Sequence, residues 1–471
     1  MSVVNDAREF ATAPAEYFGH SWHAMHHLER DELEELQLHA MRLRFEELRD
    51  RIPVLDRLAS DQRIDAIDRR EDIVGLLFQH TVFKSYPASL LVKSKFAPIT
   101  KWLDRLTTHD LSQVDVSQCR SIDEWLDVLD SETELRVAHS SGTAGTMSFY
   151  PRGASEWRQM MDGIKCGLFQ FSDPLDERDH SEDYFDLIWP LFRLGRSAIT
   201  RFPEQALPVI LGSPERLHAL RDGRLSSDGM FLAGRLAAAE ARGEVDQVDI
   251  NPALIERRDD FVREQRELQG ALDRFVNEMA RELEGRRVWL LATWNTLFNM
   301  AQAGLDAGME SVFAADSLVS TGGGSKGQAL PEDWEETVKR FMGVDRIQHA
   351  YAMTEMAALN RMCEHGRYHF EPWIVPFVLD PDSGELLPDE GEQTGRCAIF
   401  DLMAESYWGG TITGDRISLD RSPCTCGRTT PHAARTIERF SDQRGGDDKI
   451  TCASSDEAHA KALDFLTDRL A

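Results

Sequence analysis

Long hydrophobic runs are missing from this chain: nowhere do eighteen uncharged apolar residues follow one another, so no membrane-spanning helix is expected. Positive charge is also in short supply. Lys and Arg number 53 against 81 Asp and Glu, a formal charge of −28. A field of that sign repels nucleic acid and anionic lipid and argues against both as partners. It also means that an anionic ligand must be met by local cations or by oriented backbone N–H groups. Cysteines are few, odd in number at seven, and widely spread. A disulfide framework is therefore not expected, and any close pair is read first as metal ligands. The first thirty residues lack a basic start and an apolar stretch, carrying instead Asp6, Glu9, Glu16 and several His. No export signal is expected, and the expected location is the cytoplasm. What is present is 471 residues with 42% hydrophobic content, sufficient for one large domain or two ordinary ones.

Residues 27–50 read as one long helix ending before Pro53, within a mostly helical region over 1–130. Residues 131–370 read as an α/β body. Inside it, the Ala-, Arg-, Glu- and Leu-rich stretch 213–286 is expected to be a helical insertion. Val288-Trp289-Leu290-Leu291-Ala292 reads as a buried strand, and further extended structure is expected at 312–313 and 317–320. A helix is expected over 331–342. Over 371–450 the texture becomes β-rich, with strand-like runs at 373–379, 396–402 and 411–419 separated by turns such as Pro381-Asp382-Ser383-Gly384. A short tail, 451–471, closes the chain.

The most informative stretch is His139-Ser140-Ser141-Gly142-Thr143-Ala144-Gly145-Thr146. Glycines let the backbone turn so that several N–H groups converge, and hydroxyls add donors, a combination that cradles phosphate. No Lys follows in the Walker position, which argues against an ordinary P-loop NTPase. By itself the stretch reads equally well as a polar loop between a strand and a helix.

Ser140 to Gly145 resembles the Ser/Thr/Gly loop of the adenylate-forming superfamily, which contains acyl-CoA synthetases and adenylation domains. In that superfamily's order there follow Tyr351-Ala352-Met353-Thr354-Glu355, similar to Tyr-Gly-x-Thr-Glu, and Thr413-Gly414-Asp415, similar to Thr-Gly-Asp. Cys424-x-Cys426-Gly427-Arg428 resembles phenylacetate–CoA ligases. Thr321-Gly322-Gly323-Gly324-Ser325-Lys326 resembles the Gly-rich signature of bacterial acyl-protein synthetases. The resemblance implies an α/β fold: a large adenylate-forming N-terminal-type domain with mixed sheets flanked by helices, followed by a β-rich lobe.

It also implies ATP-dependent activation of a carboxylic acid, with Mg²⁺ as cofactor and transfer of the acyl group to CoA, a carrier protein or another thiol. Capture of the adenylate by an amine acceptor, and a nucleotide-binding subunit without chemistry, are the alternatives. The loop from Ser140 to Thr146 (Ser140, Ser141, Gly142, Thr143, Ala144, Gly145, Thr146) would take the triphosphate, Thr354 the α-phosphate, Glu355 the Mg²⁺, Tyr351 the adenine and Asp415 the ribose. Arg439 is favoured over Arg435 and Arg444 as the ribose or hinge arginine. Two departures stand out. Ala352 replaces Gly, and about twenty residues follow Ile450, too few for the mobile C-terminal domain of roughly a hundred residues that usually carries a catalytic Lys. Lys326, beside Gly322, Gly323 and Gly324, is the proposed substitute cation.

Cys424 and Cys426, with Cys363 and His369 upstream, form a donor set suited to a structural, tetrahedral Zn²⁺, with His365 as an alternative to His369. Trp294 and Asn295 are the candidate acid-binding residues, with Phe298 and Phe313 as further lining. Cys452 is a candidate acyl relay. Trp22, His23, His26 and His27 are expected to be exposed.

Overall fold

The computed structural model describes residues 3–440, with the exception of 141, 143–145, 173–179, 181–182, 249, 251–255, 257–262 and 264–269, and of 323–329. The chain divides into two compact units. One gathers residues 1–140, 147–181 and 353–449; the other is formed mainly by 182–352. The helical and β-rich regions that the sequence separates by more than two hundred residues thus fold together in the first unit.

Its N-terminal part is helical. Ser21 caps a short helix, Trp22–His26, by accepting from Ala24 N. The next helix, Arg30–Leu48, begins with Asp31 and Glu32, acids that complement the positive end of its dipole. It buries Leu33, Leu36, Ala40, Met41 and Leu48 at helical spacing. The long helix expected over 27–50 is therefore shorter, and a tight turn at 49–51 separates it from a helix that starts with Pro53. Arg44, buried in that long helix, donates to Leu402 O at 2.8 Å and pairs with Glu405 at 2.9 Å. Gln37 donates to Pro372 O at 2.7 Å.

The sheet of this unit is built on one long strand. Strand β1 is Phe78–Gln79, β2 Ala138–His139 and β3 Phe149–Tyr150, the last two forming a hairpin. After the second unit come β9 (Asn360–Arg361), which is not part of this sheet, and then β10 (Arg367–His369), β11 (Ile374–Leu379), β12 (Gln393–Asp401), β13 (Gly410–Asp420), β14 (His432–Ala434) and β15 (Glu438–Arg439). The antiparallel order is β10-β14-β13-β12-β11. Along its other edge β13 takes three short partners in turn: β1 at Thr411 and Ile412, β15 at Asp415 and Arg416, and β14 at Leu419 and Asp420. From Thr411 onward buried and partly buried residues alternate along β13, as a strand with one face on the core requires.

The second unit contains five parallel strands, β4 (Asp186–Leu194), β5 (Leu217–Arg224), β6 (Val288–Ala292), β7 (Leu318–Gly322) and β8 (Gln348–Tyr351), in the order β5-β4-β6-β7-β8. Helices Ala271–Glu282, Trp294–Asp306 and Trp334–Met342 cover it with a core that includes Val288, Leu290, Leu297, Val338 and Phe341. Two expectations are corrected here. Residues 217–224, expected to be helical, form β5. Its charged Arg221, Asp222 and Arg224 hide the strand pattern because it lies at the sheet edge beside β4. Val312 and Phe313 are core residues outside any strand. No helix among the described residues is long and apolar enough to cross a membrane.

Candidate active site

The β2–β3 hairpin holds the base of the hydroxyl-rich loop. Ser140 N donates to Ser148 O, and Ser148 N donates to Ser140 Oγ, both at 3.0 Å. Gly142 has a φ of +68°, a conformation that glycine adopts without strain. Thr146 is partly buried. Ser141, Thr143, Ala144 and Gly145 lie outside the described residues, as do Gly323, Gly324, Lys326, Arg444 and Cys452.

Tyr150, the last residue of the hairpin, and Arg152, just beyond it, reach the Thr354–Glu355 segment. Both are buried. The Arg152 guanidinium donates to Thr354 O at 3.3 Å and to the Tyr407 hydroxyl at 3.1 Å, and lies over the Trp157 ring. Asp401, at the end of β12, accepts from Ala357 N at 2.7 Å, and Trp373 Nε1 donates to Ala357 O at 3.1 Å. Arg152, Asp401 and Trp373 thereby fix the backbone that carries Thr354 and Glu355. Sequence reading singled out none of the three. The available signal was a charged residue directly after an apolar strand (Arg152) and an acid closing one (Asp401), both prone to be buried only when paired.

Glu355 keeps part of its surface, yet desolvation of its carboxyl raises its pKa above the ordinary glutamate value. The neighbouring Asp415 raises it further, and Arg439 opposes the rise. The buried Tyr150 phenol is held well above its usual range, by burial first and then by the Glu355 charge. Asp415 sits on the buried face of β13, directly across from Arg439 of β15, with Arg439 Nε 3.4 Å from Asp415 Oδ1. Thr413 Oγ1 accepts from Asp415 N at 3.2 Å. Glu355, Asp415 and Arg439, far apart in sequence, are thus close enough in the first unit for Asp415 and Arg439 to act on the Glu355 carboxyl.

The remaining described candidates for nucleotide and acid binding lie in the second unit. Gly322 ends β7, where a Cβ would come within 2.8 Å of Ala350 O. Tyr351 ends β8 and is buried. Trp294 begins its helix, its ring 5.7 Å from Trp334 and 6.0 Å from His349, and Asn295 follows it. Phe298 packs against the core and Phe313 belongs to it.

Cys363, His369, Cys424 and Cys426 present ligand atoms that all lie within 4.8 Å of one another. Cys363 Sγ and Cys424 Sγ are 4.0 Å apart, and Cys426 Sγ is 3.4 Å from His369 Nε2. Two similar turns supply the thiols. Cys363 N donates to Arg367 O and Gly366 N to Cys363 O; Cys424 N donates to Arg428 O and Gly427 N to Cys424 O. Gly366 and Gly427 close these turns with φ of +72° and +91°. A tetrahedral zinc with Zn–S bonds of about 2.3 Å needs sulfurs about 3.8 Å apart, so three thiols and an imidazole at these separations fit the ion. Four protein ligands leave no open position, the pattern of a structural site. Of the two histidines considered, His369 joins the set, and His365 is exposed. The Cys363 thiol is pulled far below its usual range, chiefly by its hydrogen bond with Cys426. His26, expected at the surface, is fully buried beside this cluster.

No family model matches the chain. Over 125 residues, 24% of this chain, the sequence is 30% identical to the phenylacetate-coenzyme A ligase of Thermus thermophilus. The match covers 26% of that enzyme, so the chain spans about a quarter of the length of the curated relative it matches. Among solved structures, the fold is similar to 2-hydroxyisobutyryl-CoA ligase in complex with 2-HIB-AMP and CoA in the thioesterification state. The TM-score is 0.51 at 14% identity, with 90% of this chain and 72% of that one covered. The chain therefore has a fold similar to that of 2-hydroxyisobutyryl-CoA ligase and, over about a quarter of its length, a sequence similar to that of a phenylacetate-coenzyme A ligase.

Proposed function

We propose that this protein is an AMP-forming ligase that activates a carboxylic acid with ATP and hands the acyl group to a thiol, CoA being the favoured acceptor. The observation that carries the reading is the convergence of Glu355, Asp415 and Arg439 in the unit that also holds the base of the Ser140 loop. A carboxylate oxygen of the acid attacks the α-phosphorus, and the bond to pyrophosphate breaks. The thiolate then attacks the carbonyl carbon, and AMP leaves.

Catalysis of the first half consists in holding two anions together and stabilising charge on the phosphoryl oxygens. In this reading the loop Ser140–Thr146 takes the triphosphate and Thr354 the α-phosphate. Asp415, oriented by Arg439, accepts hydrogen bonds from the ribose hydroxyls, and Tyr351 flanks the adenine. Glu355 is the carboxylate suited to hold Mg²⁺, an ion that prefers oxygen ligands and offsets phosphate charge when bound. Lys326 and the Gly322–Gly324 turn would supply further positive charge and N–H donors, and Trp294 and Asn295 would contact the acid. The Cys363, His369, Cys424 and Cys426 set would hold zinc and brace the lobe.

The test is ATP–pyrophosphate exchange with the full chain against a panel of aryl and alkyl carboxylic acids. Exchange that depends on one class of acid, and that falls in Glu355→Gln, supports the reading. Exchange with none of them, in protein that binds ATP, overturns it.

A further inference from the structure

One buried polar assembly in the first unit has no part in the proposed chemistry. The Thr430 hydroxyl is fully buried between two imidazoles, 2.9 Å from His26 Nδ1 and 3.1 Å from His369 Nδ1. His26 is also fully buried, and its Nε2 lies 3.2 Å from Glu371 Oε2. Beside this line, Thr429 N donates to His26 O at 2.9 Å and Thr429 Oγ1 donates to Leu28 O at 2.6 Å. The Trp22 ring packs on His26 at 3.9 Å, and the Arg428 guanidinium lies over Trp22. Residues just after Cys426 therefore grip residues 22–28, four hundred positions earlier in the chain.

Proton counting gives this line a direction once the Cys/His set holds a metal. His369 faces Cys426 with Nε2, so Nε2 is the ligand atom and the ring's proton must sit on Nδ1. That N–H donates to Thr430 Oγ1. The hydroxyl has one proton of its own, and the acceptor left for it is His26 Nδ1. His26 then carries its proton on Nε2, where the Glu371 carboxylate accepts it. Thr430 and His26, in the middle of the line, each donate once and accept once, between the donor His369 and the acceptor Glu371.

We propose that Thr430 and His26 are positioning residues for the metal ligand His369, and that metal binding and docking of the 22–28 segment stabilise one another. The inference rests on the zinc reading given above. A ligating imidazole held in one tautomer and one orientation binds more tightly, and partners of this kind are worth about 10–100-fold in metal affinity. By linkage, metal loss weakens the seat of His26 to the same extent.

The experiment uses the full chain and zinc itself. Zinc affinity is measured by chelator competition for the wild type, Thr430→Val and Thr430→Ser, and hydrogen exchange over residues 22–28 is followed with and without zinc. Thr430→Val, equal in shape but lacking the hydroxyl, is expected to bind zinc roughly 10–100-fold more weakly. Thr430→Ser, which keeps the hydroxyl, restores the affinity. Stripping zinc from the wild type, an arm that needs no variant to fold, is expected to speed exchange over 22–28. Thr430→Val binding zinc as tightly as the wild type, or exchange unchanged by zinc removal, overturns the proposal. A wild type that does not bind zinc overturns the zinc reading and this proposal together.

Discussion

Glu355 is where burial and function pull in opposite directions. Its pKa is raised by desolvation and by Asp415, whereas the proposed role as a Mg²⁺ carboxylate requires the ionised form. The acid limb of the adenylation rate is therefore expected above the ordinary value of 4.5, and a pH profile of pyrophosphate exchange checks it. The stability sign is the reverse. A carboxyl whose folded pKa exceeds its unfolded one contributes stability that is present at low pH and lost as pH rises through the folded value. Glu355→Gln is thus expected to lower exchange by about 10²–10³-fold while unfolding at pH 7 no earlier than the wild type in a denaturant titration. Asp415→Asn removes a charge-assisted contact. Its expected cost of about 2 kcal/mol would raise the KM for ATP roughly 30-fold with a smaller change in kcat.

Among the elements, the helix Ala154–Leu168 shows where propensity and packing disagree. Gly163 and Gly167 leave room for Trp373 and for Arg361, whose guanidinium donates to Ile164 O. A Cβ at Gly167 would fall 2.1 Å from Arg361 Nε. Helix propensity alone favours Gly167→Ala by about 1 kcal/mol, but overpacking around a buried, anchored arginine costs about 1–3 kcal/mol. The expected result is a net loss, read as a lower denaturation midpoint. The same tension explains what the sequence could reveal. Strand β6 was readable from Val288-Trp289-Leu290-Leu291-Ala292 because every residue is apolar, and β11 to β13 from short runs between turns. β5 was not, since an edge strand tolerates Arg221, Asp222 and Arg224, and its state is set by pairing with β4. The grouping of Cys363 with Cys424 and Cys426 was readable from Cys-x-Cys spacing and soft-ligand chemistry. Burial of His26 was not, because its partners Thr430 and Glu371 lie 404 and 345 residues away. Arg152 escaped notice for the same reason, its acceptor at Thr354 being 202 residues on.

The molecule as a whole is one unit interrupted by another. Residues 182–352 form a single stretch with their own parallel sheet and core, whereas the first unit needs both ends of the chain. Expressed alone, 182–352 is expected to unfold cooperatively in urea. The piece 1–181, without the sheet that seats Arg44, Gln37 and β1, is expected to lack a cooperative transition, with circular dichroism as the readout. Synthesis on the ribosome runs into this arrangement in order. Arg44 emerges 358 residues before the Leu402 carbonyl that receives it, a wait of roughly 20–70 s at about 5–20 residues per second. Throughout that interval the N-terminal helices have no sheet to cover their apolar faces, while the interrupting segment is already free to fold. The front end of the newborn chain therefore keeps its apolar faces uncovered longest, and a slower stretch of translation after residue 352 would prolong that exposure.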